Sequence, residues 1–170
     1  MVFMLRVEPK TVSEDFKVIR VTGSSDQYGG PYKIINRDEA PQESGMQVGT
    51  WALEAERVAN LRARLLFETD HKSIPNELGF LNNAVHMRKG CYPGQETVAK
   101  VFNLGQPPRR LALLHLDGTE VELPKHGDPI FDGDKEVGFI GSVARHYELG
   151  PIALGIIKRN KPTDSVLKAA

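Results

Sequence analysis

The chain has a single cysteine, Cys91, among its 170 residues. One thiol cannot form an intrachain disulfide, and it cannot hold an iron–sulfur cluster through four cysteine ligands. The N-terminus also lacks the charged segment followed by an apolar run that marks a secretory signal. We therefore expect a reducing compartment and a cytoplasmic location.

Excess charge and long apolar runs are absent as well. Lys+Arg and Asp+Glu both number 22, so no basic field favours direct binding to nucleic acid or to a membrane surface. No apolar run approaches the roughly 20 residues that span a bilayer. The five histidines show no metal-ligand spacing and have no cysteine partner, so we predict no metal cofactor.

The first part of the chain alternates between strand and helix patterns. β-Branched residues predict strands over residues 15–22 and 32–36. Apolar residues at three- and four-residue spacing predict a long helix from an N-cap at Thr50 to Leu66, ended by the polar residues 68–72.

A second helix is predicted after the cysteine. Pro93 fits its first turn, where the missing N–H is not needed, and Glu96 complements the helix dipole. The predicted buried face consists of Val98, Val101 and Phe102.

The pattern changes to short strands after residues 107–108, both of which are prolines. Asp-Gly turns at 117–118 and 132–133, with Gly138 and Gly141 as bends or bulges, predict a small antiparallel barrel. We therefore predict an α+β fold with an α+β portion over residues 1–106 and a β-barrel over residues 107–170. The tail after Asn160 is expected to be frayed.

The cysteine lies in the run Lys-Gly-Cys-Tyr-Pro-Gly-Gln-Glu, residues 89–96. The glycines on either side of it allow a tight turn, and a position just before a helix, near Lys89, favours the thiolate. Three simpler interpretations stay open. Cys91 could be a small buried hydrophobe, Lys89 and Lys100 could be solvated, and Glu96 could cap the helix.

This run, with Lys100 as the fourth residue after the glutamate, resembles the signature of the YgfZ family. These are folate-binding proteins related to the glycine-cleavage T-protein, an aminomethyltransferase. The flanks at 74–77 and 105–111 agree. The resemblance covers roughly residues 15–160 and matches the second half of such proteins. It implies a partial ferredoxin-like layer followed by a C-terminal barrel, and a partial fold leads us to expect a hydrophobic patch or a homo-oligomer.

The same resemblance implies a function. It makes tetrahydrofolate the expected ligand and cofactor, makes iron–sulfur client proteins the expected partners, and makes Cys91 the reactive group in cluster assembly or repair. The residues expected to shape its folate pocket are Lys89, Gly90, Tyr92, Gly94, Gln95, Glu96 and Lys100.

Arg57 and Glu77 form a second predicted group. Their positions match segments that line the folate cavity of T-protein relatives, where an arginine suits a carboxylate tail and a glutamate suits a pterin edge. T-proteins carry an acidic residue about two positions after this arginine, where the chain has Ala59. The alternative for Arg57 is an ion pair with Glu54 or Glu56 on the helix surface.

Two other functions stay in view. One is an aminomethyltransferase, but T-proteins carry their catalytic aspartate in the half that the resemblance does not cover, and they typically lack this cysteine. We therefore do not expect a classical aminomethyltransferase. The other is a non-catalytic interaction module without folate affinity.

Overall fold

A computed structural model of the chain describes residues 14–20, 32–39, 48–82, 84–120 and 122–169. These residues form an α+β fold with two α-helices and two antiparallel sheets. The chain separates into two compact units, Met1–Met46 and Gln47–Ala170. The boundary predicted at 106/107 lies within the second unit.

The first unit contains a β-hairpin. Strands β1 (Phe16–Arg20) and β2 (Tyr32–Asn36) pair antiparallel, which confirms the strand predicted over 32–36 and, through Arg20, the one predicted over 15–22. Positions 21–22 of that prediction lie outside the described residues. The Arg37 side chain, just after β2, connects the end of β2 to the start of β1. It donates to the backbone oxygens of Glu14 at 3.0 Å and Phe16 at 3.1 Å.

The first helix, α1 (Thr50–Ala59), is shorter than predicted, and Gly49 rather than Thr50 is its N-cap. A Schellman motif ends it, because Arg62 N–H donates to the Arg57 oxygen and Leu61 N–H donates to the Val58 oxygen. Leu61 takes the left-handed position of this motif, with φ of 53°. The apolar residues up to Leu66 therefore lie outside the helix, and the predicted extension was wrong.

The second unit is built on a five-stranded antiparallel sheet in the order β3-β6-β5-β4-β7. Its strands are β3 (Arg109–His115), β4 (Pro129–Asp132), β5 (Lys135–His146), β6 (Gly150–Lys158) and β7 (Lys168–Ala169). Strands β3 and β7 are the two edges and do not pair with each other, so the described residues form an open sheet rather than a closed barrel.

Two turn predictions had different outcomes. The Asp132-Gly133 turn joins β4 to β5 as predicted. The Asp117-Gly118 turn does not join a hairpin, because β3 pairs with β6 instead of with the next strand along the chain. The tail was also predicted wrongly, since Lys168–Ala169 pairs with β4.

The sheet has a hydrophobic cluster on each face. Ala55 and Val58 of α1 pack on the first cluster, which includes Ala144, Ile152 and Leu154. The second cluster is formed by Ile130, Val137, Ile140, Ala153 and Ile157. Leu114 of β3 and Leu167, next to β7, both contact this second cluster, so residues from both ends of the sheet pack on the same core.

Strand β5 carries the predicted irregularities at its two glycines. Its register with β6 shifts between Ile140 and Val143, around Gly141. Its register with β4 shifts next to Gly138. Both glycines therefore lie at bulges, as the sequence predicts.

The second helix is α2 (Gln95–Leu104). Val98 is its buried residue, as predicted. Phe102 is 53% exposed, so the prediction that Phe102 lies on the buried face was wrong. The helix packs mainly on the 3₁₀ turn Pro75–Glu77 and has too narrow a contact to cover Phe102. No helix among the described residues has the length and hydropathy needed to cross a membrane.

Candidate functional site

Cys91 is exposed and lies in the loop that leads into α2. Gly94 turns the chain into the helix with a left-handed φ of 81°, and Gln95 N–H donates to the Tyr92 oxygen at 3.2 Å. The interpretation of Cys91 as a buried hydrophobe was therefore wrong. An exposed thiol at this position is open to a reaction partner.

Two motif neighbours of Cys91 interact with each other. The Lys89 Nζ atom lies 5.4 Å from the centre of the Tyr92 ring, within the range of a cation–π contact. The Tyr92 hydroxyl is buried and has no hydrogen-bond partner among the described residues. Gly94 is required by its positive φ, whereas a Cβ at Gly90 would meet nothing within 4 Å.

The remaining motif residues lie on the first turns of α2. Glu96 is in the first turn, as predicted, and both Glu96 and Lys100 are exposed. Within the part of the chain that the structure describes, neither side chain forms an ion pair. The loop with Cys91 and Lys89 is therefore followed directly by a helix that presents free charges and Gln95.

Arg57 is bound by the protein itself. Its side chain is 13% exposed, and its guanidinium group donates to Glu54 Oε2 at 3.0 Å and to Glu68 Oε2 at 3.3 Å. It also donates to the Arg62 oxygen and to Ser142 Oγ. The predicted ion pair with Glu54 is confirmed, and a ligand carboxylate would have to replace one of these partners.

Glu68 is a fully buried carboxylate that sequence reasoning missed. Its Oε1 atom accepts from the Ser142 backbone N–H at 2.7 Å, and Oε2 accepts from the Arg64 backbone N–H at 2.7 Å. The bulge at Gly141 makes room for it, since a Cβ there would lie 2.7 Å from Glu68 Oε1. Glu68 thereby connects the loop after α1 to strand β5, and these hydrogen bonds offset the cost of burying its charge.

Glu77 belongs to a second ion-pair network. Its side chain is 1% exposed, and Arg109 of β3 donates to its two carboxylate oxygens at 3.0 and 2.8 Å. Arg109 also donates to both oxygens of Asp70, at 2.7 and 3.0 Å. The hydrogen bond from Arg109 holds the pKa of the Asp70 carboxyl well below its usual range, and the hydrogen bonds to Asp70 and Glu77 raise the pKa of Arg109.

Among the contacts of the described residues, a hydrogen bond connects the Glu77 network, but not the Arg57 network, to the motif helix α2. Asn76, next to Glu77, donates from its side chain to the Val98 oxygen of α2 at 3.2 Å. No hydrogen bond within the described ranges joins Arg57 to Glu77 or to the cysteine loop. The predicted site residues therefore fall into a loop-and-helix group around Cys91, a neighbouring Glu77 network and a separate Arg57 network.

The described residues show two further features that bear on ligands. They contain no group of three or more His, Cys, Asp or Glu side chains that could hold a metal ion. An open surface hollow of about 580 Å³ lies in the first unit, and none of its lining residues was predicted as a site residue. It is lined by Glu14, Asp15, Asn36, Arg37, Asp38 and Glu39.

Comparison with known proteins adds no relative. A scan against protein-family models finds no family that matches the chain, and a search of curated proteins finds no match. The likeness to the YgfZ family therefore depends on the sequence motif at residues 89–96 with Lys100 and on its flanks.

Proposed function

We propose that the chain is a tetrahydrofolate-binding protein of the YgfZ type that supports the assembly or repair of iron–sulfur enzymes through Cys91. The observation that carries this proposal is the exposure of the Cys91 sulfur in the motif loop at the start of α2. A thiolate is the nucleophile in sulfur exchange, and it must be accessible to react with a client protein.

The finer fold of that family, a ferredoxin-like layer followed by a barrel, is part of the proposal. It is supported by the antiparallel topology of the second unit and by Leu114 and Leu167, which bring both ends of the sheet to one cluster. The proposed setting is cytoplasmic, with folate and iron–sulfur client proteins as partners.

The anionic tail of folate is best assigned to Lys89 and Lys100. Both are exposed and have no ion-pair partner among the residues that the structure describes, so they can bind a carboxylate without breaking an ion pair. Arg57 and Glu77 are already bound by Glu54, Glu68 and Arg109. Any role for them in ligand binding requires exchange of those partners.

Cys91→Ala is expected to abolish function while leaving the fold intact. An exposed side chain outside any packing contact usually changes stability by no more than about 0.5 kcal/mol. In a strain that lacks the protein, we expect the variant to fail to restore the activity of iron–sulfur enzymes, although its unfolding midpoint matches the wild type. Asn103→Ala, an exposed change at the far end of α2, is the control and should restore activity. Full complementation by Cys91→Ala would show that the thiol is not needed.

The double variant Lys89→Ala with Lys100→Ala is expected to weaken the binding of a polyglutamylated reduced folate by about tenfold or more, because two charge-assisted contacts are lost. Isothermal titration calorimetry measures this change. The control is the double variant Lys125→Ala with Lys135→Ala. It also removes two positive charges, but from exposed positions before β4 and at the start of β5, and it should leave the affinity for folate unchanged. Equal effects of the two double variants would reject the assignment of the tail, and an absence of folate binding by the wild type would favour the interaction-module alternative.

The aminomethyltransferase alternative is tested separately. A turnover assay with a glycine-cleavage partner protein should show no methylene transfer if the proposal is right. Clear methylene transfer would favour the aminomethyltransferase over the proposed function.

A further inference from the structure

Among the residues that the structure describes, strand β3 has one edge with no neighbouring strand. The hydrogen bonds at the two ends of β3 define which backbone groups point to that edge. Leu116 N–H donates to the Pro151 oxygen, and the Pro108 oxygen accepts from Arg159 N–H, so positions 108 and 116 both bond toward β6. The register between them is continuous. In an antiparallel pair the bonding direction alternates, so odd-numbered residues of β3 direct their N–H and C=O groups away from β6.

The outward groups of Leu111, Leu113 and His115 form no hydrogen bond with any residue that the structure describes. Arg109 also points outward, but it lies at the end of the strand that contacts the 3₁₀ turn Pro75–Glu77. The free stretch of the edge is therefore 111–115, and it is symmetric about Leu113.

This stretch lacks the features that normally prevent edge strands from pairing with another chain. Its sequence, Leu-Ala-Leu-Leu-His, has no proline, no glycine and no Lys, Arg, Asp or Glu, and no bulge interrupts its register. Protected edges usually carry one of these features, because unpaired backbone groups in a flat apolar strand attract another strand.

We propose that a second copy of this chain pairs with this edge, with β3 antiparallel to β3 of the partner about a two-fold axis at Leu113. In this register Leu111 faces His115 of the other copy, Leu113 faces Leu113, and Ala112 faces Leu114. Each opposed pair of outward residues exchanges two N–H···O bonds, so the three pairs form about six backbone hydrogen bonds. The flanking Arg110 faces Leu116, so side chains directly opposite each other never carry like charges.

A second copy fits this edge better than a foreign strand does. The free stretch is self-complementary and exhausts its outward groups when it pairs with itself, as an isologous two-fold contact requires. It also presents no charge that would select a partner of opposite sign. The proposal is independent of folate binding and gives a specific form to the self-association that the sequence leads us to expect.

The test compares His115→Pro with His115→Ala by sedimentation velocity over a wide concentration range. Proline removes one outward N–H and places a ring at the contact, but it spares the bonds to β6 because this N–H points away from β6. Alanine truncates the same exposed side chain and keeps the N–H. We expect the wild type and His115→Ala to dimerise with increasing concentration and His115→Pro to stay monomeric. A monomeric wild type, or equal dimerisation of the two variants, would overturn the proposal.

Hydrogen–deuterium exchange on the wild type provides a second readout that does not depend on the variants folding. The amides of Leu111, Leu113 and His115 should exchange more slowly as concentration rises, whereas those of Ala112 and Leu114 should be protected at all concentrations. Protection of the outward amides in a monomer would mean that another part of the chain covers the edge, and slower exchange only after addition of a foreign extended peptide would mean a different occupant. Either result would reject the second copy.

Discussion

Arg109→Ala is expected to destabilise the protein by about 3–5 kcal/mol, because it leaves a buried carboxylate without its counter-charge. Both oxygens of Glu77 accept from Arg109, and the only other hydrogen bond to this carboxylate from a described residue is a long one of 3.4 Å from the Ile74 N–H. The Glu77 side chain is 1% exposed with Arg109 in place, so its charge depends on this partner rather than on solvent. Urea unfolding followed by circular dichroism at neutral pH measures the loss.

Two further variants separate the ion pair from a general effect of removing an arginine. Arg159→Ala removes an exposed guanidinium that contacts Gln106, and it should change stability by no more than about 0.5 kcal/mol. Adding Glu77→Gln to Arg109→Ala should recover part of the loss, because the buried charge is then gone. If Arg109→Ala unfolds at the wild-type urea concentration, the network around Glu77 does not stabilise the fold.

The same variant has an expected pH dependence. The Arg109 guanidinium holds the pKa of Asp70 below its ordinary value of 3.8. A carboxyl whose pKa is lowered by folding stabilises the protein above its unfolded pKa and loses that contribution as the pH falls toward the folded value. The stability gap between the wild type and Arg109→Ala should therefore be largest above about pH 4 and should narrow on acidification. The Asp70 side chain is 30% exposed, so solvent weakens its interaction with Arg109. At neutral pH we therefore expect the loss of the Glu77 contacts to account for most of the difference in unfolding free energy.

Gly138→Ala is expected to have an effect of similar or larger size, about 4 kcal/mol or more, because the added methyl group meets backbone instead of a movable side chain. A Cβ at this position would lie 2.0 Å from the Ile156 oxygen and 2.9 Å from Ile157 Cα. Relief requires strands β5 and β6 to move apart, and these two strands form the centre of the sheet. We expect a much lower melting temperature, or failure to fold, in calorimetry.

Gly118→Ala is the matched control for this substitution. A Cβ at Gly118 would lie 3.8 Å from the Pro151 ring, an ordinary contact, and its φ is not in the left-handed region. The control should be neutral or slightly stabilising, since alanine restricts the unfolded chain more than glycine does. Equal melting temperatures for the two glycine variants would contradict the predicted clash.

The strands β4 and β5 could be predicted because they have local signals, whereas β7, in the tail expected to be frayed, could not. The Asp132-Gly133 turn places β4 and β5 on its two sides, and the two bulge glycines interrupt the otherwise alternating strand β5. Pairing between distant strands has no such signal. The partnership of β3 with β6 depends on packing of whole segments, and the role of the Asp117-Gly118 turn was therefore misjudged.

The end of α1 shows a different limit. The apolar spacing continues past Ala59, and helices usually end at a glycine, whereas here Leu61 takes the left-handed position. That conformation costs a leucine about 1–2 kcal/mol, and the hydrogen bonds of the Schellman motif together with the contacts of Arg57 to Arg62 and Glu68 offset it.

The candidate site also has features with a local sequence signal and features that depend on residues far apart in the sequence. The tight turn at Cys91 has a local signal in the glycines on either side of it, but the sequence left open whether the thiol is buried, and the structure shows that Cys91 is exposed. The occupation of Arg57 and Glu77 by internal partners could not be predicted in full, because Ser142 and Arg109 lie far away in sequence. Only the pair between Arg57 and Glu54, three residues apart on one helix, had a local basis.

The position of Arg57 between two carboxylates and a serine has a consequence for recognising similar chains. A guanidinium that closes a helix end and neutralises a buried acid would be retained by selection for stability even in a descendant that has lost every small-molecule ligand. An arginine at this position is therefore explained by its internal partners alone, and its presence in another chain does not by itself indicate a bound ligand.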